Sequence, residues 1–452
     1  MSSNVQLPTT GNGRVNSIIM PSNNPSNNAF SHQGNNIVQF QLPNSNVILD
    51  PQSIRINGTL RLKNPSGLAQ FVKDNTHMDK YCGVNSIFSS VQWSSSGGNR
   101  SSIEKINNYP QLLSSILPAL TSTSQYNSEA SIQTLSTENT VYQDKSIIKN
   151  IMTEAGAKFS TPIYTGLTMS SSNRIPLLPL KGLTLTLELN ADDAVFIYDD
   201  TNATTTQKPY KSQVVFELFN VSLSCTMYHP NSEEKMAIAN MKQGSLSMNT
   251  FTSLFSVLQS SDNNTQFNLG IRNLVACFFK LVPTNKINHQ GHNEFQSLRV
   301  QDKTGQTKQF LKASFLRSGV EFPLYFPINI PDKSLECQLN KYYLSALNQL
   351  HDAEKRISID GLMNDPRFAI GCGSAYDSSD IKNQLSSQNK SNVVYGIGYD
   401  YFSSFSGADF DGKPLTLNLE SSLDDGNTNA MYCFVLAQTV VNFDQNGIQV
   451  TF

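Results

Sequence analysis

The sequence predicts an all-β chain built as two tandem jelly-roll β-sandwich domains, a double jelly roll, with a few short helices. Three observations predict it. Apolar and polar residues alternate with period two over long runs, the pattern of strands with one buried and one solvated face. Helical periodicity is confined to two segments. A stretch of the first half also returns 232 positions later. Leu183-Thr-Leu-Thr-Leu-Glu188 reappears as Leu415-Thr-Leu-Asn-Leu-Glu420, and Asp192-Asp193 aligns with Asp424-Asp425, seven of eleven positions being identical. Any two solvent-faced strands written in Leu and Thr would align, but that does not bring a Glu and two Asp into register.

Residues 1–35 are Asn, Ser, Pro and Gly with scattered apolar residues. They predict a flexible N-terminal arm without a core of its own, either disordered or ordered only by docking on a neighbour. Val15, Ile18, Ile19 and Met20 are its apolar cluster, and deleting residues 2–33 is expected to leave the fold intact. The first strand is expected at Ile37 to Leu42. Ile54, Ile56, Leu60 and Leu62 then alternate with Arg55, Asn57, Thr59, Arg61 and Lys63. Phe219, Val221, Leu223, Cys225 and Met227 alternate with Asn220, Ser222, Ser224, Thr226 and Tyr228. Further strands are expected at Ile87 to Trp93, Gln266 to Ile271, Val320 to Tyr325, Val393 to Tyr399 and Tyr432 to Val441. Asn57-Gly58, Gly97-Gly98, Asp411-Gly412, Asp425-Gly426 and Asn446-Gly447 read as turns.

Tyr109 to Leu117 reads as a helix opened by Pro110 and bent or ended by Pro118. Leu335, Leu339, Tyr342, Tyr343, Ala346, Leu347 and Leu350 follow the spacing of an amphipathic helix with a charged exit at Asp352 to Arg356. Thr121 to Phe159 and Ser374 to Ser391 are long polar loops, a length that is usually functional or surface-exposed. The two halves are joined near His229-Pro-Asn-Ser-Glu-Glu-Lys235. This gives an arm at 1–35, a first jelly roll at 36–230 and a second at 231–452.

Lys and Arg total 33 against 35 Asp and Glu, a net charge of -2. That balance argues against specific nucleic-acid binding, which needs a basic footprint. Only 15% of residues are charged, while 56 Ser and 47 Asn supply a neutral hydrogen-bonding surface. No run reaches the ~20 apolar residues of a membrane-spanning helix. The first residues hold no apolar core of a secretory signal, so the six cysteines (82, 225, 277, 337, 372 and 433), which lack C-x-x-C spacing, are expected reduced. Cys225 and Cys433 are expected buried and unpaired.

Three segments, in this order, resemble the double jelly-roll major capsid proteins of double-stranded DNA viruses, in particular the polinton-like, adintovirus and virophage group. They are Cys82-Gly-Val-Asn-Ser-Ile-Phe-Ser-Ser-Val-Gln-Trp93 with Tyr109 and its helix, Ile175-Pro-Leu-Leu-Pro-Leu-Lys-Gly-Leu-Thr-Leu-Thr-Leu-Glu-Leu189, and Gly396-Ile-Gly-Tyr-Asp400 through Gly447-Ile-Gln-Val450. The similarity spans residues 36–452. The resemblance implies a homotrimer forming a pseudo-hexameric capsomer in an icosahedral virion shell assembled inside the host cell. It further implies contacts with neighbouring capsomers and with penton and minor capsid proteins, the terminal arm touching neighbouring capsomers, minor proteins or an internal membrane. The two long loops would project outward as towers.

Chemistry-bearing motifs have plainer readings beside them. His289-Gln-Gly-His292 sits in a polar loop at a spacing that fits no standard zinc pattern. Asp409-Phe-Asp-Gly412 is a fragment of a calcium loop without its closing Glu, and reads as a turn before a strand. Asp192-Asp193 and Asp424-Asp425 follow matching strands and read as turn formers rather than catalytic pairs. Cys372 lies between two glycines without an identifiable His. Lys333, Lys341, Lys355 and Arg356 form a solvated helix face. No G-x-S-x-G, H-E-x-x-H or Walker A motif occurs. The sequence therefore predicts no catalytic, cofactor or metal residues, and a structural subunit rather than an enzyme. The alternatives are a carbohydrate-binding β-sandwich or a surface adhesin. A single tryptophan, Trp93, counts against paired sugar platforms, and the missing signal counts against an adhesin.

Overall fold

The computed structural model describes residues 13–23, 29–63, 76–78, 82–97, 101–120, 155–169, 174–198, 215–241, 243–259, 264–283, 299–301, 307–309, 313–317, 320–322, 345–350, 395–398, 409–410, 412–419, 428–444 and 447–451. The chain forms two compact units. The first comprises Met1–Pro110, Asn127–Thr250 and Thr439–Thr451; the second comprises Gln111–Tyr126 and Phe251–Gln438, with Phe452.

The first unit holds β1 (Arg14–Ile19), β2 (Ala29–Phe30), β3 (Ile37–Gln41), β4 (Ile48–Leu62), β5 (Thr76–Met78), β6 (Phe88–Ser95), β7 (Ser102–Asn107), β8 (Ala157–Pro162), β9 (Ile175–Pro176), β10 (Leu183–Leu189), β11 (Phe196–Tyr198) and β12 (Phe216–Tyr228). β13 (Gly244–Leu258) begins in it, and β23 (Gly447–Thr451) returns to it. One sheet runs β1-β12-β4-β8, with β2 also on β12 and β9 on β4. A second runs β7-β6-β10-β3. Their facing sides carry Ile54, Ile56, Leu60, Leu62, Leu218 and Leu223 from one and Val38, Phe40, Val91, Trp93, Leu185 and Leu187 from the other, all buried. Alternation thus sets which face packs inward.

The second unit contains β14 (Asn264–Leu269), β15 (Leu274–Pro283), β16 (Arg299–Gln301), β17 (Thr307–Gln309), β18 (Ala313–Arg317), β19 (Val320–Phe322), β20 (Tyr395–Gly398), β21 (Lys413–Leu419) and most of β22 (Asn429–Asp444). One sheet follows β20-β15-β22-β13 and another β14-β21-β18-β19. Its core is aromatic, with Phe251, Phe278, Phe279 and Phe434 fully buried. The two copies of the repeat become corresponding strands: β10 is flanked by β6 and β3, and β21 by β14 and β18.

Several expectations need correction. Within the expected N-terminal arm two short strands are paired, while residues 1–12 and 24–28 lie outside the described residues. β1 pairs antiparallel with β12 from Arg14↔Tyr228 to Ile19↔Leu223, and β2 pairs with Leu218 and Phe219 of the same strand. Phe30 is buried to 1% exposure, an anchor that offsets the ordering cost of its neighbours. Asn57-Gly58 is not a turn but lies inside β4. A Cβ on Gly58 would come within 2.9 Å of the Phe159 ring, so glycine here serves the close approach of β8.

Phe219 is not a core residue. Asn220 adopts φ +50° and the β12–β4 register shifts between Phe219 and Ser222. This bulge moves the buried set from Phe216 and Leu218 to Val221, Leu223, Cys225 and Met227. Phe219 instead lies beneath the Arg61 guanidinium, 4.0 Å from it, and Arg61 pairs with Glu217 at 3.2 Å.

Helix α1 (Tyr109–Leu120) continues past Pro118, which falls in the last turn, where the break costs least. Short helices α2 (Gly166–Met169) and α3 (Asp192–Val195) follow. The expected joint at 229–235 includes the start of α4 (Ser232–Asn240), opened by a capping box: Glu234 N–H donates to Asn231 at 2.8 Å and Asn231 N–H to Glu234 at 2.8 Å. β8 starts at Ala157, before the expected end of the long polar loop at Phe159. Of the expected helix at 335–350, residues 345–348 are helical, with Ala346, Leu347 and Leu350 buried; its remainder lies outside the described residues. So do residues 121–154 and 374–391.

Candidate functional site

Two of the sequence motifs with chemical promise occupy structural positions. Asp192 is buried at the start of α3, where Oδ1 accepts the Phe216 N–H at 3.1 Å and Oδ2 accepts from Gln33 at 3.2 Å. Its carboxylate clips β12 to the segment between β2 and β3. In the Asp409–Gly412 motif, Phe410 N–H and Gly412 N–H donate to Ile271 and Leu269 carbonyls at 2.8 and 3.1 Å, and Gly412 has φ +68°. That geometry leads the chain into β21. His289, His292, Cys372, Asp424, Asp425, Lys333, Lys341, Lys355 and Arg356 lie outside the described residues. Among the described residues, no group of three or more His, Cys, Asp or Glu could hold a metal ion, and no helix is long and apolar enough to cross a membrane. Trp93 is fully buried in β6, so it offers no exposed ring to a sugar.

Polar groups the sequence reading passed over organise each unit. Glu104 on β7 is 1% exposed and accepts the N–H groups of Gly166 at 2.7 Å and Leu167 at 3.2 Å. The carboxylate thereby binds two of the open donors at the start of α2. Beside it Tyr109 Oη accepts the Tyr164 N–H at 2.8 Å, and burial pushes the phenol well above its ordinary range. In the second unit, buried Lys280 donates to Ser114 of α1. Cys82, Cys225, Cys277 and Cys433 are buried thiols outside any disulfide, and Cys82 Sγ donates to the Pro110 carbonyl at 3.2 Å. Burial raises the Cys225 thiol to about 11, and raises Cys277 and Cys433 as well. Thiols held neutral in this way are poor nucleophiles.

Large apolar side chains are exposed on β1 and just beyond it (Val15 41%, Ile18 73%, Met20 58%), at Ile37, at Met236 of α4, and at Phe255 and Val257 of β13. The Phe255 ring packs against Tyr432 at 5.3 Å. Exposed apolar side chains that lie close together on a surface mark contact sites.

No family model matches the sequence, and no curated protein matches it. Its fold does match solved structures from end to end. A chain of the PBCV-1 virus capsid aligns over 99% of both chains at TM-score 0.55 and 10% identity. A chain of the Sputnik virophage aligns over 100% of this chain and 91% of its own at TM-score 0.55 and 9% identity. The Faustovirus major capsid protein aligns over 98% and 92% at TM-score 0.50 and 9% identity. The chain therefore has the tandem jelly-roll fold found in these viral proteins.

Proposed function

We propose that this chain is a major capsid protein, a structural subunit rather than an enzyme. Three copies form a capsomer with six barrels, and capsomers tile an icosahedral virion shell, meeting neighbouring capsomers, penton and minor capsid proteins. The observation that carries the reading is the alignment over 99% of both chains with a PBCV-1 capsid chain, which includes both units rather than one. A shared sandwich module would match over half the length. The low charge and neutral Ser/Asn surface suit packing of many copies without mutual repulsion.

The test is particle mass. Three 50.0 kDa chains give a species of about 150 kDa, with interfaces of the obligate class at roughly 2,000 Å² or more. Native mass spectrometry at micromolar concentration should show that trimer, and electron microscopy of concentrated material should show hexagonal arrays or shells. A clean monomer in both would overturn the proposal.

A further inference from the structure

At one corner of the first unit three buried side-chain atoms have no hydrogen-bond partner: Asn46 Oδ1, Arg174 Nη1 and Glu234 Oε1. A buried polar atom left unpaired is destabilising, so each calls for a partner. A circuit of contacts ties the three residues together. Arg174, just before β9, lays its guanidinium over the Tyr228 ring, 3.9 Å from the centroid. Tyr228 and Pro176 both lie opposite Ile48 of β4, one on each side of it. Three residues beyond Tyr228, Asn231 caps α4, and its N–H donates to Glu234 Oε2. Asn46, two residues before Ile48, donates its side-chain amide to the Lys235 carbonyl of that helix at 3.1 Å. That bond fixes the Asn46 orientation, since a carbonyl accepts only from the amide nitrogen, and Oδ1 is the atom left over.

We propose that the three atoms share one internal water, which accepts from Arg174 Nη1 and donates to Glu234 Oε1 and Asn46 Oδ1. One donor and two acceptors are the complement of a water molecule, which makes about three hydrogen bonds when buried. Charge selects the same ligand. Arg174 and Glu234 balance, so the corner is formally neutral. A metal ion would meet the guanidinium and an oxyanion would meet the carboxylate, each a repulsive contact at short range. Arg174 Nη1 and Glu234 Oε1 do not bond each other directly, so the water mediates their attraction. The bridge fastens β9 and the approach to β4 onto α4, the helix that carries the chain from β12 into β13. This site goes beyond the capsid reading and stands without it.

A crystallographic or cryo-EM map of the full-length protein, fine enough to show ordered water, tests it. A single peak is expected within about 2.5–3.2 Å of all three atoms. No peak, a peak reaching fewer than three, or a direct Arg174–Glu234 hydrogen bond overturns the bridge. A double-mutant cycle in urea reads the sharing independently. Arg174→Met keeps an apolar stem over Tyr228 and removes the donor, and Asn46→Ala removes one acceptor. With a common water, either change already disrupts it, so the double variant should lose roughly one third less stability than the two single losses added together. Strictly additive losses overturn the sharing.

Discussion

Asn23 stands in for a strand beside Gln39. Its side-chain amide accepts the Gln39 N–H at 2.9 Å and donates to the Ile37 carbonyl at 2.7 Å, reproducing with one side chain the two-way exchange of a β-bridge. Since β1 and β2 lie on β12, the segment from Arg14 to Phe30 bonds the edges of both sheets of the first unit. Asn23→Ala removes the acceptor and the donor together. The expected loss is about 1–2 kcal/mol, since each hydrogen bond contributes about 0.5–1.5 kcal/mol net. Asn23→Asp keeps the acceptor and should lose roughly half as much. Urea denaturation of the three proteins decides it, and equal midpoints for Asn23→Ala and the parent would contradict the edge-cap role.

The same segment reverses the expected effect of truncation. Removing residues 2–33 deletes β1, β2 and the buried Phe30 ring, and exposes the edge of β12. The truncated chain should melt well below the full chain and aggregate, whereas removing residues 2–12 should spare it. Phe30→Ala alone should cost about 3–5 kcal/mol, the usual range for a buried Phe in a core. Unchanged melting of the 2–33 deletion would show the strap to be superfluous.

The distinction between what alternation reveals and what it conceals is physical. β4, β10 and the second half of β12 were legible because each buries every second side chain, so periodicity records the packing face directly. β13 escaped notice. Its residues Thr252 to Val257 are half-buried or exposed on both faces, which blunts the contrast that alternation needs. β1 escaped for the same reason, and the Asn23 cap escaped because its partner lies 14–16 residues away, where no periodicity links them. The α4 capping box was readable in Asn231-Ser-Glu-Glu234 and was passed over as a joint. Asp192, expected as a turn former, binds the Phe216 N–H, while Asp424 and Asp425 lie outside the described residues.

Glu104 and Gly166 form one locking device. The carboxylate holds the Gly166 and Leu167 N–H groups, and the missing Cβ lets Gly166 lie against β13, where a methyl would come within 2.7 Å of Thr250 Cα and 2.8 Å of the Asn249 carbonyl. Glu104→Gln retains shape but loses the charge that strengthens both hydrogen bonds, for an expected cost of about 1–3 kcal/mol. Gly166→Ala forces backbone to move and should cost about 1–3 kcal/mol as overpacking. Amide exchange at Gly166 and Leu167 should accelerate in Glu104→Gln ahead of global unfolding. Unaltered exchange there would mean that the carboxylate does not hold the turn.

The buried thiols make stability fall in alkaline solution. Cys225 lies against the core on β12, where burial favours the neutral thiol and raises it from 9.0 to about 11. The unfolded chain ionises first, so between pH 9 and 11 the folded state binds more protons than the unfolded state. Its stabilising contribution is complete below pH 9 and is lost as pH rises through 11. Cys277 and Cys433 are raised by burial in the same direction, and Tyr432 is raised from 10.0 to about 12, so the decline continues beyond that window. The melting temperature should hold level with respect to these groups below pH 9 and drop progressively above it. Cys225→Val removes one ionising group while keeping the site apolar, and should flatten the part of the decline between pH 9 and 11. Native protein at pH 8 should also react with iodoacetamide at these cysteines at least tenfold more slowly than urea-unfolded protein. Parallel melting curves for Cys225→Val and the parent between pH 9 and 11 would remove Cys225 from the explanation, and rapid native alkylation of Cys225 would show that its thiol is not held neutral by the core.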